Sequence, residues 1–143
     1  MAKRILMPLD RRESSMAVLG VVADTARGSG ATVRLLHVAP IPKEQIGDDG
    51  RVVAYASQEM ERVERSRLEC LKEAEARLEG VPVESVVRFG DPAEEILREA
   101  DAFDADLIAI ASANRGWLGH LRRSVADRVF HKAEVPVLLL GAR

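Results

Sequence analysis

Hydrophobic residues along the chain alternate between short continuous runs and longer stretches where they recur at helical spacing. Ile5-Leu6-Met7-Pro8-Leu9 reads as a first strand, ended by Pro8 and Asp10. A helix is expected from about Ser14 to Arg27, with Ser14 or Ser15 as N-cap and Gly28 and Gly30 stopping it. Val33 to Val38 is the second strand, after which Pro40, Pro42, Gly47 and Gly50 mark a loop. From about Val53 to Leu78, the positions Val53, Met60, Val63, Leu71, Ala74 and Leu78 keep one helix face apolar. Glu61 with Arg65, and Glu73 with Arg77, are acidic-before-basic pairs on the wet side of that helix. Val83 to Arg88 mixes polar and apolar positions, as a partly exposed edge strand does. Gly90-Asp91-Pro92-Ala93-Glu94 is a compact helix start: Asp91 as N-cap, Pro92 at the first helical position, Glu94 reaching back as in a capping box. That helix is expected to run to about Ala102. Leu107 to Ala111 is continuously apolar and so predicts a fourth strand buried on both faces. A short helix from about Ser124 to Lys132 and a last strand, Pro136 to Leu140, complete the pattern. Repeated strand–helix alternation implies an α/β fold: a parallel sheet with right-handed crossovers and helices on both faces.

Composition narrows this picture. A length of 143 residues fits one domain, 1–143, around one core. Aromatics make up only 3%, so the core is built from Val, Leu, Ile and Ala, and base-stacking surfaces are disfavoured. A formal net charge of -2, with acids beside the bases, argues against a nucleic-acid partner. The single cysteine, Cys70, excludes an internal disulfide and a thiolate cluster, and its helical setting suggests a structural thiol. The apolar run after Lys3-Arg4 is broken at Asp10, too early for an export signal, and no stretch approaches the ~20 apolar residues of a membrane span. The expected location is the cytoplasm, with no membrane partner.

Candidate chemistry is sparse. Open α/β sheets bind ligands at the carboxyl ends of their strands, near the reversal of strand order. Strand 1 ends Pro8-Leu9-Asp10-Arg11-Arg12, without the glycines that a dinucleotide fingerprint or a P-loop needs. His37, His120 and His131 show no metal-ligand spacing; His37 reads as a packed core residue and the other two as surface residues. No Gly-x-Ser-x-Gly elbow is present, so no catalytic residues and no metal are expected. Capping accounts for Asp91 and Glu94, while Asp10 is open between a ligand contact and a turn or helix cap.

Several segments, in order, carry a resemblance. They are Pro8-Leu9-Asp10 closing strand 1, Leu36-His37-Val38 with Pro40, Gly90-Asp91-Pro92 with Ile96, Ala105-Asp106-Leu107-Ile108, Ser124-Val125 with Val129, and Pro136-Val137-Leu138. Together with the stretch from Ala111 to Val129 they resemble the universal stress protein family over essentially the whole chain. The resemblance implies a Rossmann-like, adenine-nucleotide alpha-hydrolase-like fold, a five-stranded parallel sheet in the order 3-2-1-4-5. It also implies a homodimer and a role in stress response or regulation. ATP-binding members of that family carry, after strand 4, Gly, two residues, Gly, nine residues, Gly, then Ser or Thr. Such glycines let backbone N–H groups turn toward phosphates, and the hydroxyl and helix N-terminus complete an anion site.

Anchored on Ser124-Val125, and with the loop about one residue shorter than that pattern, this chain places Ala111 and Asn114 at the first two glycine positions and Arg123 at the third. Ala adds a methyl, and Asn still visits left-handed geometry. Arg123 puts a long side chain where a backbone N–H would face a phosphate; it either pairs with phosphate or closes the site. The ligand positions implied by the resemblance are Pro8, Leu9, Asp10, Val38, Ile110, Ala111, Asn114, Arg123, Ser124 and Val125. Asp10 and Val38 stand at the adenosine end. Two readings follow: a non-enzymatic homodimeric stress regulator with a degenerate nucleotide site, or an ATP- or AMP-binding switch with slow hydrolysis. A small-molecule enzyme using Asp10 and Ser124 lacks a base or metal. Independently, Val137 to Leu140 is an uninterrupted apolar run at an expected sheet edge, which invites pairing with its own copy about a two-fold axis. A further regulatory partner is expected but not identified by any residue, and Trp117 in the loop is a natural fluorescence probe.

Overall fold

The computed structural model describes residues 3–9, 18–42, 45–48, 50, 52–54, 56–112 and 125–141. Along the chain these form β1 (Arg4–Pro8), α1 (Leu19–Ser29), β2 (Thr32–Ala39), β3 (Gln45–Ile46), β4 (Val52–Ala54), α2 (Ala56–Ala76), β5 (Val83–Phe89), α3 (Pro92–Phe103), β6 (Leu107–Ser112), α4 (Val125–Lys132) and β7 (Val137–Gly141). Five strands make one parallel sheet in the order β5-β2-β1-β6-β7, the expected 3-2-1-4-5 arrangement. β5 is an edge strand, as its mixed pattern suggested, and β7 is the opposite edge.

Strand alternation sorts the core into two layers. Ile5, Met7, Val33, Leu35 and Ala109 pack with Leu19, Val22, Ala23 and Ala26 of α1 and with Leu71 and Ala74 of α2. Leu6, Leu36, Ile108 and Ile110 pack with Ala93, Ile96 and Phe103 of α3 and with Ala126 and Val129 of α4. The central β1 is consequently apolar at successive positions, Ile5-Leu6-Met7, all essentially removed from water. Each such Leu or Ile contributes about 1.5–3 kcal/mol relative to an exposed position.

Local chemistry explains most helix ends. Gly30 adopts the left-handed conformation (φ 69°) and donates its N–H to the Ala26 carbonyl, so it ends α1, whereas Gly28 lies inside the helix. The expected caps Ser14 and Ser15 lie outside the described residues. At α3 the Asp91 carboxylate accepts the Glu94 amide at 3.0 Å and Pro92 occupies the first turn. Asp104 closes α3 in the left-handed region at φ 56°, a conformation Asp tolerates better than most residues.

The expected helix from Val53 to Leu78 is too long at both ends. Val53 belongs to β4, which pairs antiparallel with β3, so the stretch read as a loop contains a small hairpin. The β-branched pair Val52-Val53 suits a strand better than a helix. At the other end, Arg77 and Leu78 bond back to Ala74 and Glu75, a tightened turn that stops α2 while keeping Leu78 buried. Cys70 is exposed rather than structural, because the inward stripe of α2 runs through Leu68, Leu71 and Ala74.

Between the sheet and α3 lies a charged layer. Glu99, only 4% exposed, accepts from Arg34 at 2.6 Å and from Arg88 at 2.8 Å. Arg34 also pairs with its cross-strand neighbour Glu84 and stacks 4.1 Å above the Phe103 ring, while Arg88 reaches Glu95. Burial opposes the Arg34 charge, but the bonds to Glu84 and Glu99 outweigh it and raise its pKa. No described helix is long and apolar enough to cross a membrane.

Candidate functional site

The chain leaves β1 toward β2 and β5 on one side, then returns to build β6 and β7 on the other. β1 and β6 therefore lie side by side where the strand order reverses, the place at which open α/β sheets form a ligand crevice beyond the carboxyl ends of their strands. Pro8 pairs with Leu36 at the end of β1, and the buried Leu9 donates its amide to the Leu36 carbonyl at 2.8 Å. Val38, half-buried, follows at the end of β2. On the far side, β6 pairs with β1 at Ile5↔Leu107 and Leu6↔Ile108; continued, that register sets Pro8 level with Ile110. Ile110 is buried and Ala111 half-buried, facing Leu139 and Leu140 of β7 across the ladder. Val125, half-buried, is the first residue of α4.

Of the ten ligand positions expected from the sequence, Pro8, Leu9, Val38, Ile110 and Ala111 thus sit at the carboxyl ends of β1, β2 and β6, and Val125 at the start of α4. Asp10, Asn114, Arg123 and Ser124 lie outside the described residues, as do Trp117 and His120.

Two contacts at this end of the sheet went unread in the sequence. His37 is half-buried rather than a packed core residue, and its Nδ1 stands 3.1 Å from the Leu9 carbonyl oxygen. Asp91 is more than a cap: its two carboxylate oxygens take a bidentate pair of bonds from Arg128 of α4, at 3.1 and 2.8 Å. The Arg128 guanidinium, followed by the Glu94 amide, holds the Asp91 carboxyl below the usual carboxylate range, and Asp91 in turn raises Arg128. This fork fastens the first turns of α4 to the start of α3. His131 is at the surface, as expected, its ring edge-on to the exposed Phe130 at 5.6 Å. Among the described residues, no group of three or more His, Cys, Asp or Glu is placed to hold a metal ion.

Residues 1–141 match the Universal stress protein family. The chain belongs to that family. A universal stress protein of Thermus aquaticus, encoded in the 3' region of a QAH/OAS sulfhydrylase, is 32% identical over 143 residues, covering 98% of this chain and 99% of its own. A solved structure used as a test case for assigning the biochemical function of a hypothetical protein superposes at TM-score 0.79, with 25% identity over 99% of this chain and 96% of that one. The universal stress protein of Archaeoglobus fulgidus in complex with dAMP superposes at TM-score 0.66, with 24% identity over 96% of both chains. As a universal stress protein, the chain has the family's adenine-nucleotide alpha-hydrolase-like architecture and belongs among stress-response proteins.

Proposed function

We propose that this universal stress protein is a non-catalytic, homodimeric regulator whose crevice takes an adenine nucleotide by its adenosine end and grips a triphosphate poorly. The observation that carries the reading is the unequal construction of the two ends. At the adenosine end, Pro8, Leu9 and Val38 ride on paired backbone, fixed by the Pro8↔Leu36 register and the Leu9 amide bond to Leu36. At the phosphate end, backbone N–H groups would have to turn inward at Ala111, Asn114 and Arg123, none of them glycine. A nucleoside monophosphate suits that division, and dAMP is what the Archaeoglobus fulgidus relative holds. Occupancy rather than turnover is the signal in this reading, since the sequence offers no nucleophile with a matched base.

Calorimetry with AMP and with magnesium ATP tests it. AMP and ATP are expected to bind within about threefold of each other, and Arg123→Gly to strengthen ATP by about tenfold, or ~1.4 kcal/mol, with AMP unchanged. ATP binding far tighter than AMP, and indifferent to Arg123→Gly, favours the alternative of an ATP-dependent switch with slow hydrolysis.

The homodimer rests on β7. It pairs with β6 on one side, its other edge is the sheet boundary, and Leu139 is 39% exposed there. An apolar edge of this kind pairs with a second copy unless covered. Sedimentation at micromolar concentration is expected to give a dimer, and Leu139→Lys a monomer; a wild-type monomer overturns the assignment.

A further inference from the structure

The end of β1 is decided by a side chain of the neighbouring strand. Leu9 follows Pro8, the last residue of β1, and its amide still makes a ladder bond to the Leu36 carbonyl. In a parallel ladder carried one residue further, the Leu9 carbonyl would face the Val38 amide. The His37 imidazole reaches it instead, Nδ1 to oxygen 3.1 Å. Leu9 is 5% exposed, so its carbonyl is poorly placed to be satisfied by bulk water. Because a carbonyl oxygen only accepts, Nδ1 must carry the proton, which leaves Nε2 as the acceptor of the neutral ring. His37 alternates with Val33 and Leu35 and so projects to the α1–α2 side of the sheet, whereas Val38 projects to the α3–α4 side. One dipeptide therefore supplies a latch on one face and a crevice-bordering side chain on the other.

We propose that His37 is the positioning residue of the adenosine end: by holding the Leu9 carbonyl it sets where β1 stops and how Leu9 stands beside Val38. This rests on the reading that the adenosine end is the half of the crevice that binds. A side chain that releases this carbonyl leaves the core intact but lets Leu9 lose register with Val38.

Isosteres separate this role from simple packing. Asparagine places a donor near the position of Nδ1, and glutamine near that of Nε2. Calorimetry with AMP and ATP, together with amide exchange at Leu9, is expected to show His37→Asn close to wild type. His37→Gln and His37→Leu are expected to lose about tenfold in affinity for AMP and ATP alike, equivalent to ~1.4 kcal/mol, and to exchange the Leu9 amide faster. His37→Gln with wild-type affinity and wild-type Leu9 exchange overturns the proposal. Nitrogen NMR of the unsubstituted protein reads the same bond without any variant: a proton on Nδ1 supports it, and a bare Nδ1 with the proton on Nε2 overturns it. If wild-type protein binds no adenine nucleotide, the reading of the crevice falls on its own. The Leu9 exchange and the tautomer still decide whether His37 holds the strand end.

Discussion

Replacing Glu99 by glutamine removes a charge from the layer between β2, β5 and α3 while keeping its shape. Glu99 is the hinge of that layer, since one oxygen accepts from Arg34 at 2.6 Å and the other from Arg88 at 2.8 Å. Its side chain is 5% exposed, against 21% for Arg34 and 28% for Arg88. Stranding one member of a fully buried pair costs about 3–5 kcal/mol. Here neither arginine is stranded: Arg34 keeps Glu84 at 2.8 Å, Arg88 keeps Glu95 at 3.1 Å, and both touch solvent. The amide does turn a donor toward a guanidinium, where only acceptors belong. The net loss is therefore expected at about 2 kcal/mol, below the fully buried range but well above an exposed pair. Urea unfolding should register it as a midpoint lowered by roughly 1 M at unchanged slope. A cycle of Glu99→Gln, Arg88→Met and the double variant should give a coupling above about 1 kcal/mol. High salt should barely reduce that coupling, unlike a surface pair such as Arg4–Asp104, whose side chains are 52% and 90% exposed. A Glu99→Gln midpoint indistinguishable from wild type, or a coupling that vanishes in salt, refutes the reasoning and leaves the layer as ornament on an apolar core.

Three other variants probe separate contacts of the fold. Asp91→Asn should loosen α4 from α3, read as faster amide exchange at Glu94 and in the first turn of α4. The folded Asp91 pKa is depressed, so its stabilisation is present above the unfolded value of about 4 and is lost as pH falls through the lower folded value. The stability gap between wild type and Asp91→Asn should therefore be constant at neutral pH and close in acid; a gap that persists there contradicts the assignment. Gly90 has φ +142°, and an added Cβ would meet Glu95 Cγ at 3.2 Å and its carboxyl at 3.3 Å, so Gly90→Ala should cost about 1–3 kcal/mol by thermal unfolding. Glu95 cannot simply swing aside, since Arg88 and Arg98 both hold it. Among the described residues, Nε and Nη1 of Arg67 are buried without an acceptor, so Arg67→Met should raise stability by about 1 kcal/mol, and a loss of stability there disproves the point.

What the sequence showed and what it hid divide by distance along the chain. The start of α3 was legible because Asp91, Pro92 and Glu94 carry their own local chemistry. The parallel sheet with its crossover helices followed from apolar runs alternating with helices, whereas its strand order came from the family resemblance. Val53 misled because a β-branched residue fell by chance on the helical period of α2, and only pairing with β3 reveals the hairpin. The contacts that shape the site are remote: His37 lies 28 residues from Leu9, and Arg128 lies 37 from Asp91. Nothing local marks either pair until sheet order brings β1 beside β2 and α4 beside α3. Glu95 and Glu99 also share a stripe with Phe103 at four-residue spacing, which places two acids on an inward face that the arginines of β2 and β5, with Arg98 of α3, make tolerable.

The two ends of the crevice should accordingly tolerate change very differently. Strand ends held by ladder bonds and by the His37 latch present backbone whose position does not depend on which side chain stands at Pro8 or Val38. A phosphate cradle made of turned-in N–H groups has no such independence, because one Cβ at the wrong position alters the backbone itself. The Asp91–Arg128 fork secures the start of α4 against the start of α3. A chain with that fork and latch, but without glycine at Ala111, Asn114 and Arg123, would keep the adenosine half of its chemistry and a fixed helix start while losing the triphosphate grip between them. That is why the ratio of AMP to ATP affinity, more than either affinity alone, discriminates between the two readings of this protein.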